Sequence, residues 1–235
     1  MPVAFTNLTS GSELTTAGLD SVTASITLTA NRLALLSVIG MGSSVVDLTI
    51  PTCSGWTQIS TSQFSVSTVR VRLTVFRRLA ATDLTGTHTI ASGGDVLFDA
   101  LWSIDQSDAS VDTGGTNGSG AIVQSVVSTG VGTAPLATLA AFSSANNSTF
   151  GSVGFAYSPG TLTQGSGFTL LAAVNGGGND DGLLTESRTD NDTTVDASCT
   201  ISTDWAVLAL EIKAAPPPVG SLGQFDPEMR LAAWF

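Results

Sequence analysis

The chain has 235 residues and a net charge of −11, with 19 acidic side chains against 8 basic ones, a balance that repels phosphate backbones and sets it against binding nucleic acid. Charged residues are only 11% of the total, against a usual ~25%, and Ser, Thr, Asn and Gly supply the missing polarity. The 42% of hydrophobic residues exclude a disordered chain.

The predicted elements are strand after strand. Val3 to Asn7 opens the series. Ser21 to Thr29 alternates, with Val22, Ala24, Ile26 and Leu28 on one face. Arg32 to Gly40 (RLALLSVIG) is a denser apolar run, predicted as a central strand covered on both sides. Val45 to Ile50, a stretch from Gly55-Trp56, and Gln63 to Val66 follow. Val69 to Arg78 (VRVRLTVFRR) sets Val69, Val71, Leu73 and Val75 against Arg70, Arg72 and Thr74, a half-buried strand whose arginines form either a contact patch or a solvated edge. Arg77 to Leu84 is a candidate single turn of helix.

Thr87 to Ala91 and Asp95 to Ile104 come next, then a turn-rich loop from Asp108 to Gly120. Further strands are predicted at Ala121 to Ser128, Ala137 to Phe142, Phe150 to Tyr157, Phe168 to Val174, Leu183 to Arg188 and Thr194 to Ile201. Trp205 to Lys213 (WAVLALEIK) closes the series, apolar on both faces until Glu211. The expectation is a single all-β sandwich, jelly-roll-like, of roughly ten to thirteen strands over residues 1–213. No internal repeat is visible.

The character changes at Ala214. A linker over residues 214–221 contains Pro216, Pro217 and Pro218, which favour an extended form. Behind it, in the 222–235 tail, Asp226 is a natural N-cap with Pro227 at the first helical position, which predicts a short helix to about Trp234. Phe225, Met229, Leu231, Trp234 and Phe235 are too many large apolar groups for a free tail, so with Asp226 they are the candidate partner-binding residues of an anchor.

Chemistry is sparse. His88 is the only histidine, flanked by threonines and expected on a strand surface. No nucleophile elbow, HExxH zinc motif, phosphate-binding loop or dinucleotide fingerprint occurs, and the glycine-rich runs are turns. Carboxylates such as Asp95, Asp99, Asp105, Glu186 and Glu211 carry no diagnostic spacing, so no catalytic residue is assigned and no enzyme is expected. No cofactor or metal site is assigned. Asn179, Asp180, Asp181, Asp190, Asn191, Asp192 and Asp196 offer oxygen ligands for Ca²⁺, but they read better as solvated turns. Cys53 and Cys199 are either two buried thiols or a disulfide. Trp56, Trp102 and Trp205 read as core residues in preference to a sugar-stacking platform. The N-terminus, MPVAFTNLTS, lacks the features of a signal peptide, and no apolar run reaches the ~18 residues of a membrane helix, so the chain is expected to be made in a cytoplasm with no membrane partner.

Gly55-Trp56, the stretch VRLTVFRRLAATD at Val71 to Asp83, the closing WAVLALEIKAA at Trp205 to Ala215 and the tail GQFDPEMRLAAWF carry a resemblance. Together they resemble β-sandwich structural proteins of tailed-bacteriophage virions. The resemblance implies a virion protein assembled in the host cytoplasm, most simply a capsid decoration or cement protein on the outer head surface. It implies as partners the major capsid protein or another virion protein, and further copies of the chain as a homotrimer. A tail component (fibre, collar or adaptor) docked by the C-terminal tail, and a host-glycan-binding module, are the alternatives.

Overall fold

A computed structural model describes residues 1–13, 20–42, 47–66, 69–93, 97–176 and 181–216, with backbone alone at 66 and 97–99. The first half of the chain forms β1 (Phe5–Glu13), β2 (Ser21–Val22), β3 (Ile26–Leu28), β4 (Leu33–Gly42), β5 (Thr52–Cys53), β6 (Thr57–Val66), β7 (Val69–Leu79), β8 (Leu84–Gly86), β9 (Thr89–Ala91) and β10 (Leu97–Ser107). The second half forms β11 (Ile122–Gly132), β12 (Leu136–Thr138), β13 (Ser148–Phe155), β14 (Leu162–Gln164), β15 (Thr169–Asn175), β16 (Gly182–Arg188), β17 (Thr194–Cys199) and β18 (Thr203–Ile212). All pairings are antiparallel, and the all-β sandwich expected from the alternation is what forms. No helix forms between Arg77 and Leu84: β7 runs on to Leu79 and a short bend leads into β8. Residues 47–50 of the predicted Val45–Ile50 strand are irregular.

The strand order repeats. The large sheet of the first half runs β1-β10-β4-β7-β6, and that of the second runs β11-β18-β13-β16-β15. In both, the first strand lies beside the last, followed by the second, fourth and third. The small sheets agree as well: β2-β9-β5 and β12-β17-β14 are built from corresponding connections between large-sheet strands. β3 and β8 add a two-stranded ribbon to the first half. The sandwich is therefore two sandwiches of one topology.

They stack through their large sheets, giving four layers. Leu33, Leu35, Ile39, Leu73 and Val75 of the first sheet meet Phe150, Leu183, Leu208 and Leu210 of the second in one central cluster. Alternate residues of the same strands turn outward into two flanking cores. Leu36, Val38, Phe76, Trp102 and Ile104 lie under the first small sheet, and Val153, Phe155, Trp205 and Val207 lie under the second. Every residue of β4 and β13 is buried, because each strand is covered on both faces. Rings of Phe5 and Phe150 tilt together at 5.3 Å across the junction. The Val3 N–H donates to Ser148 Oγ at 2.8 Å, tying the chain start to the second half.

The connection between halves is pinned at both ends. Val111 bridges to Ala214, Ala215 N–H donates to the Ser110 carbonyl, and Lys213 pairs with Asp112 at 2.7 Å. A 3-10 helix, Thr116–Ala121, follows. Within it the Asn117 side chain accepts from Leu79 N–H and donates to Thr57 Oγ1, gripping the edge of the first large sheet. Ala214 and Ala215, where the linker was expected to start, are thus paired to the body. The rest of the linker from 217 and the whole 222–235 tail lie outside the described residues.

One contact appears in both halves. Trp102 of β10 stands opposite Gly11 of β1, and Trp205 of β18 stands opposite Gly130 of β11. Each indole lies over the glycine so closely that a Cβ would meet it at 2.8 Å at Gly11 and 2.4 Å at Gly130. Gly130→Ala should therefore overpack the second flanking core and destabilise by about 1–3 kcal/mol in urea unfolding. Gly86→Ala, where a Cβ meets nothing within 4 Å, should leave the midpoint unchanged or slightly raised.

Candidate functional site

The distinctive side chains of the first half gather under its small sheet. Cys53 ends β5, and its carbonyl accepts from the Trp56 N–H at 3.1 Å. His88 precedes β9 and is held by a reciprocal pair of bonds: its N–H donates to Thr23 Oγ1, and its carbonyl accepts from Thr23 N–H. The Trp56 indole N–H donates to His88 Nδ1 at 3.4 Å, with the rings edge-on at 5.4 Å. His88 is only 6% exposed, so the expected strand-surface position is corrected: a core tryptophan needed an acceptor, and the imidazole supplies it.

Electrostatics here work against nucleophilic chemistry. Burial pushes the Cys53 thiol up to about 11, although the nearby Arg78 guanidinium draws it down. Burial, aided by Arg78, lowers the His88 imidazole below its ordinary value. Burial thus favours the neutral form of both groups, whereas cysteine catalysis needs a thiolate. Cys199 is a second buried free thiol, in β17 of the other small sheet, so the two-thiol alternative holds.

Over this cluster lies an open pocket of about 340 Å³, walled by Ser54, Arg78, Thr85, Thr87, His88 and Thr89 among others. Arg78 donates to the Ser54 carbonyl at 3.4 Å. A guanidinium beside several hydroxyls is a polar recess suited to a small anionic or hydroxylated group. Trp56, Trp102 and Trp205 are all buried, as the core reading required, and none forms a platform.

No family model, curated protein or solved structure matches the chain.

Among the described residues, the candidate carboxylates Asp105, Glu186 and Glu211 have separate hydrogen-bond partners. Asp105 faces the central layer, accepting from Asn7 Nδ2 at 2.8 Å and Ser103 Oγ at 3.0 Å, and Ser103 in turn meets Thr185 of the opposite sheet at 3.2 Å. Glu186 lies on β16 beneath the second small sheet and accepts from Gly165 N–H at 2.8 Å. Glu211 lies on β18, across β13 from Glu186, and accepts from Gln124 at 2.6 Å and Asn147 at 2.5 Å. Asp95 and the side chain of Asp99 lie outside the described residues. Burial raises Asp105 to about 6, against the hydrogen bonds that favour its charged form, and raises Glu186 to about 8, with Asp196 adding to the rise.

Among the calcium candidates, Asp190 and Asp192 both close on Arg188, and Asp181 is buried. Asn179 and Asp180 lie outside the described residues. No group of three metal-ligating side chains occurs among the described residues, nor is any helix there long and apolar enough to cross a membrane. Arg72, one of the two arginines read as patch or edge, is spent internally on the Leu48 carbonyl and on Gln63 Oε1. The six anchor residues Phe225, Asp226, Met229, Leu231, Trp234 and Phe235 lie outside the described residues.

A raised carboxyl makes stability fall with pH. The folded chain keeps the Glu186 proton up to about 8, while the unfolded chain releases it near 4.5, so folding weakens as pH climbs through that window, by at most about 1.4 kcal/mol per unit. Glu186→Gln should flatten the fall of melting temperature between pH 5 and pH 8 and melt higher than the parent at pH 8. An unchanged slope would show that Glu186 is already ionised in the folded chain.

Proposed function

We propose that this protein is a structural component of a tailed-phage virion, a decoration or cement protein that binds the outer head surface. The observation that carries the structural part of this reading is the inward disposition of its chemistry. Cys53, Cys199, His88, Asp105, Glu186 and Glu211 are all buried and spent on packing or hydrogen bonding, which leaves a hydroxyl-rich exterior to act by contact. The virion part rests on the resemblance of the Trp56–Lys213 stretch and the C-terminal tail to phage structural proteins. The negative net charge favours the outside of a head over its DNA-facing lining. The partner is the major capsid protein, engaged by the tail residues Phe225 to Phe235; a tail-component role would use the same anchor on a different virion protein.

Deletion from Pro216 onward should leave the sandwich folded, with an unchanged melting transition, and abolish binding to emptied heads that lack the protein. Retained binding would assign particle association to the sandwich itself.

The pocket at Arg78 favours one second reading, a host-glycan-binding module recognising an acidic saccharide. On that reading Arg78→Ala removes signal from a glycan array that the parent chain lights up, and a parent array that stays blank disposes of it.

A further inference from the structure

Between Asp112 and Asp180 the sequence carries no charged residue and no histidine, so residues 113–179 are entirely uncharged in a chain of net charge −11. This stretch contributes β11 and β15, the two edges of the second large sheet, and β12 and β14, the two edges of its small sheet. Natural sheets commonly guard exposed edges with charges, prolines or bulges that interrupt the ladder. β15 has such a bulge in its middle, between Leu170 and Ala172. β11 differs. Its only irregularity lies at its start, between Ile122 and Gln124, and from Gln124 to Gly132 it pairs with β18 without interruption. Its other side pairs with no strand among the described residues.

No residue of β11 is buried along its whole length, and alternate positions are exposed. The exposed set is Val123, Ser125, Val127, Thr129 and Val131, with Val131 72% exposed. Three β-branched apolar side chains in a row on a free edge are costly in water and fitted to strand pairing. The order of this set also reads the same from either end: Val, hydroxyl, Val, hydroxyl, Val. An antiparallel partner centred on Val127 therefore places Val123 opposite Val131, Ser125 opposite Thr129, and Val127 opposite its own copy. Valine meets valine and hydroxyl meets hydroxyl at every position of the face, the pairings that stabilise cross-strand neighbours.

We infer that β11 is a homotypic assembly edge, where a second copy of this chain pairs antiparallel about a twofold axis through Val127 and joins two five-stranded sheets into one. An uncharged palindromic edge is self-complementary, as an isologous interface requires. The absence of charge removes the like-charge repulsion that two chains of net −11 would otherwise meet at contact. The contact joins two copies, unlike the trimer expected from resemblance, and it does not depend on where the protein acts.

The test uses the full chain in sedimentation velocity and light scattering. The parent should reach twice the chain mass as concentration rises toward about 1 mM, the effective concentration of molecules tethered on one surface. Ser125→Glu with Thr129→Glu sets like charges opposite each other and should give a monomer with the parent's circular dichroism and melting temperature. Ser125→Lys with Thr129→Glu sets opposite charges across the same register and should restore the dimer. Val127→Cys should form a covalent dimer on mild oxidation, and the parent should not, since Cys53 and Cys199 are buried. A parent that stays monomeric to about 1 mM, a double-glutamate variant that still dimerises, or a Val127→Cys dimer that does not cross-link would each overturn the inference.

Discussion

The contact between the two large sheets is the constraint on which everything else rests. A sheet that covers another on one face and a smaller sheet on the other has no solvent-facing side, so its central strands are buried on both faces and mostly apolar. β4 and β13 are buried throughout and β18 at every position but Asp204, and their two sets of alternate residues feed two different cores. Separating the halves would expose Leu35, Ile39, Leu73, Phe150 and Leu208 together, which makes the pair of sandwiches one cooperative body. A polar group inside this layer joins Asp105, Asn7, Ser103 and Thr185, with hydrogen bonds that link β10 to β1 and to β16 of the opposite sheet. Such a group contributes little net energy but opposes sliding of one sheet over the other, because any displacement strands a buried carboxyl.

The same economy governs the surface. Charge is concentrated outside residues 113–179, so the two halves of one topology present unlike exteriors: one carries most of the arginines and the Arg78 recess, the other a long stretch of hydroxyls and small side chains.

Much of the architecture was legible in the sequence. The alternation of Val71, Leu73 and Val75 against Arg70 and Arg72 locates β7, and the unbroken apolar runs at Leu33 and Trp205 identify strands covered twice. The very short strands β5, β8 and β14 were not legible, because two or three residues cannot display a period. The repeat was hidden for a different reason. Equivalent strands share burial and order but few residues, and the Gly11–Trp102 and Gly130–Trp205 contacts join strands distant in the chain. His88 was misplaced because its neighbours in sequence are threonines, while the groups that hold it, Trp56 and Thr23, come from segments distant in the chain. The high proton affinity of Glu186 likewise depends on the small sheet that closes over it, which no local spacing announces.

The clamp at Val111, Ser110 and Asp112 has a mechanical consequence. It holds Lys213, Ala214 and Ala215, so tension applied to the chain beyond them arrives at Ala214 and passes into β18. That strand is bonded along both sides, to β11 and to β13. A pull along its axis loads both ladders in shear, with many bonds sharing the force at once instead of opening one after another like a zip. A body pulled from that end is thus loaded through a strand held on both sides.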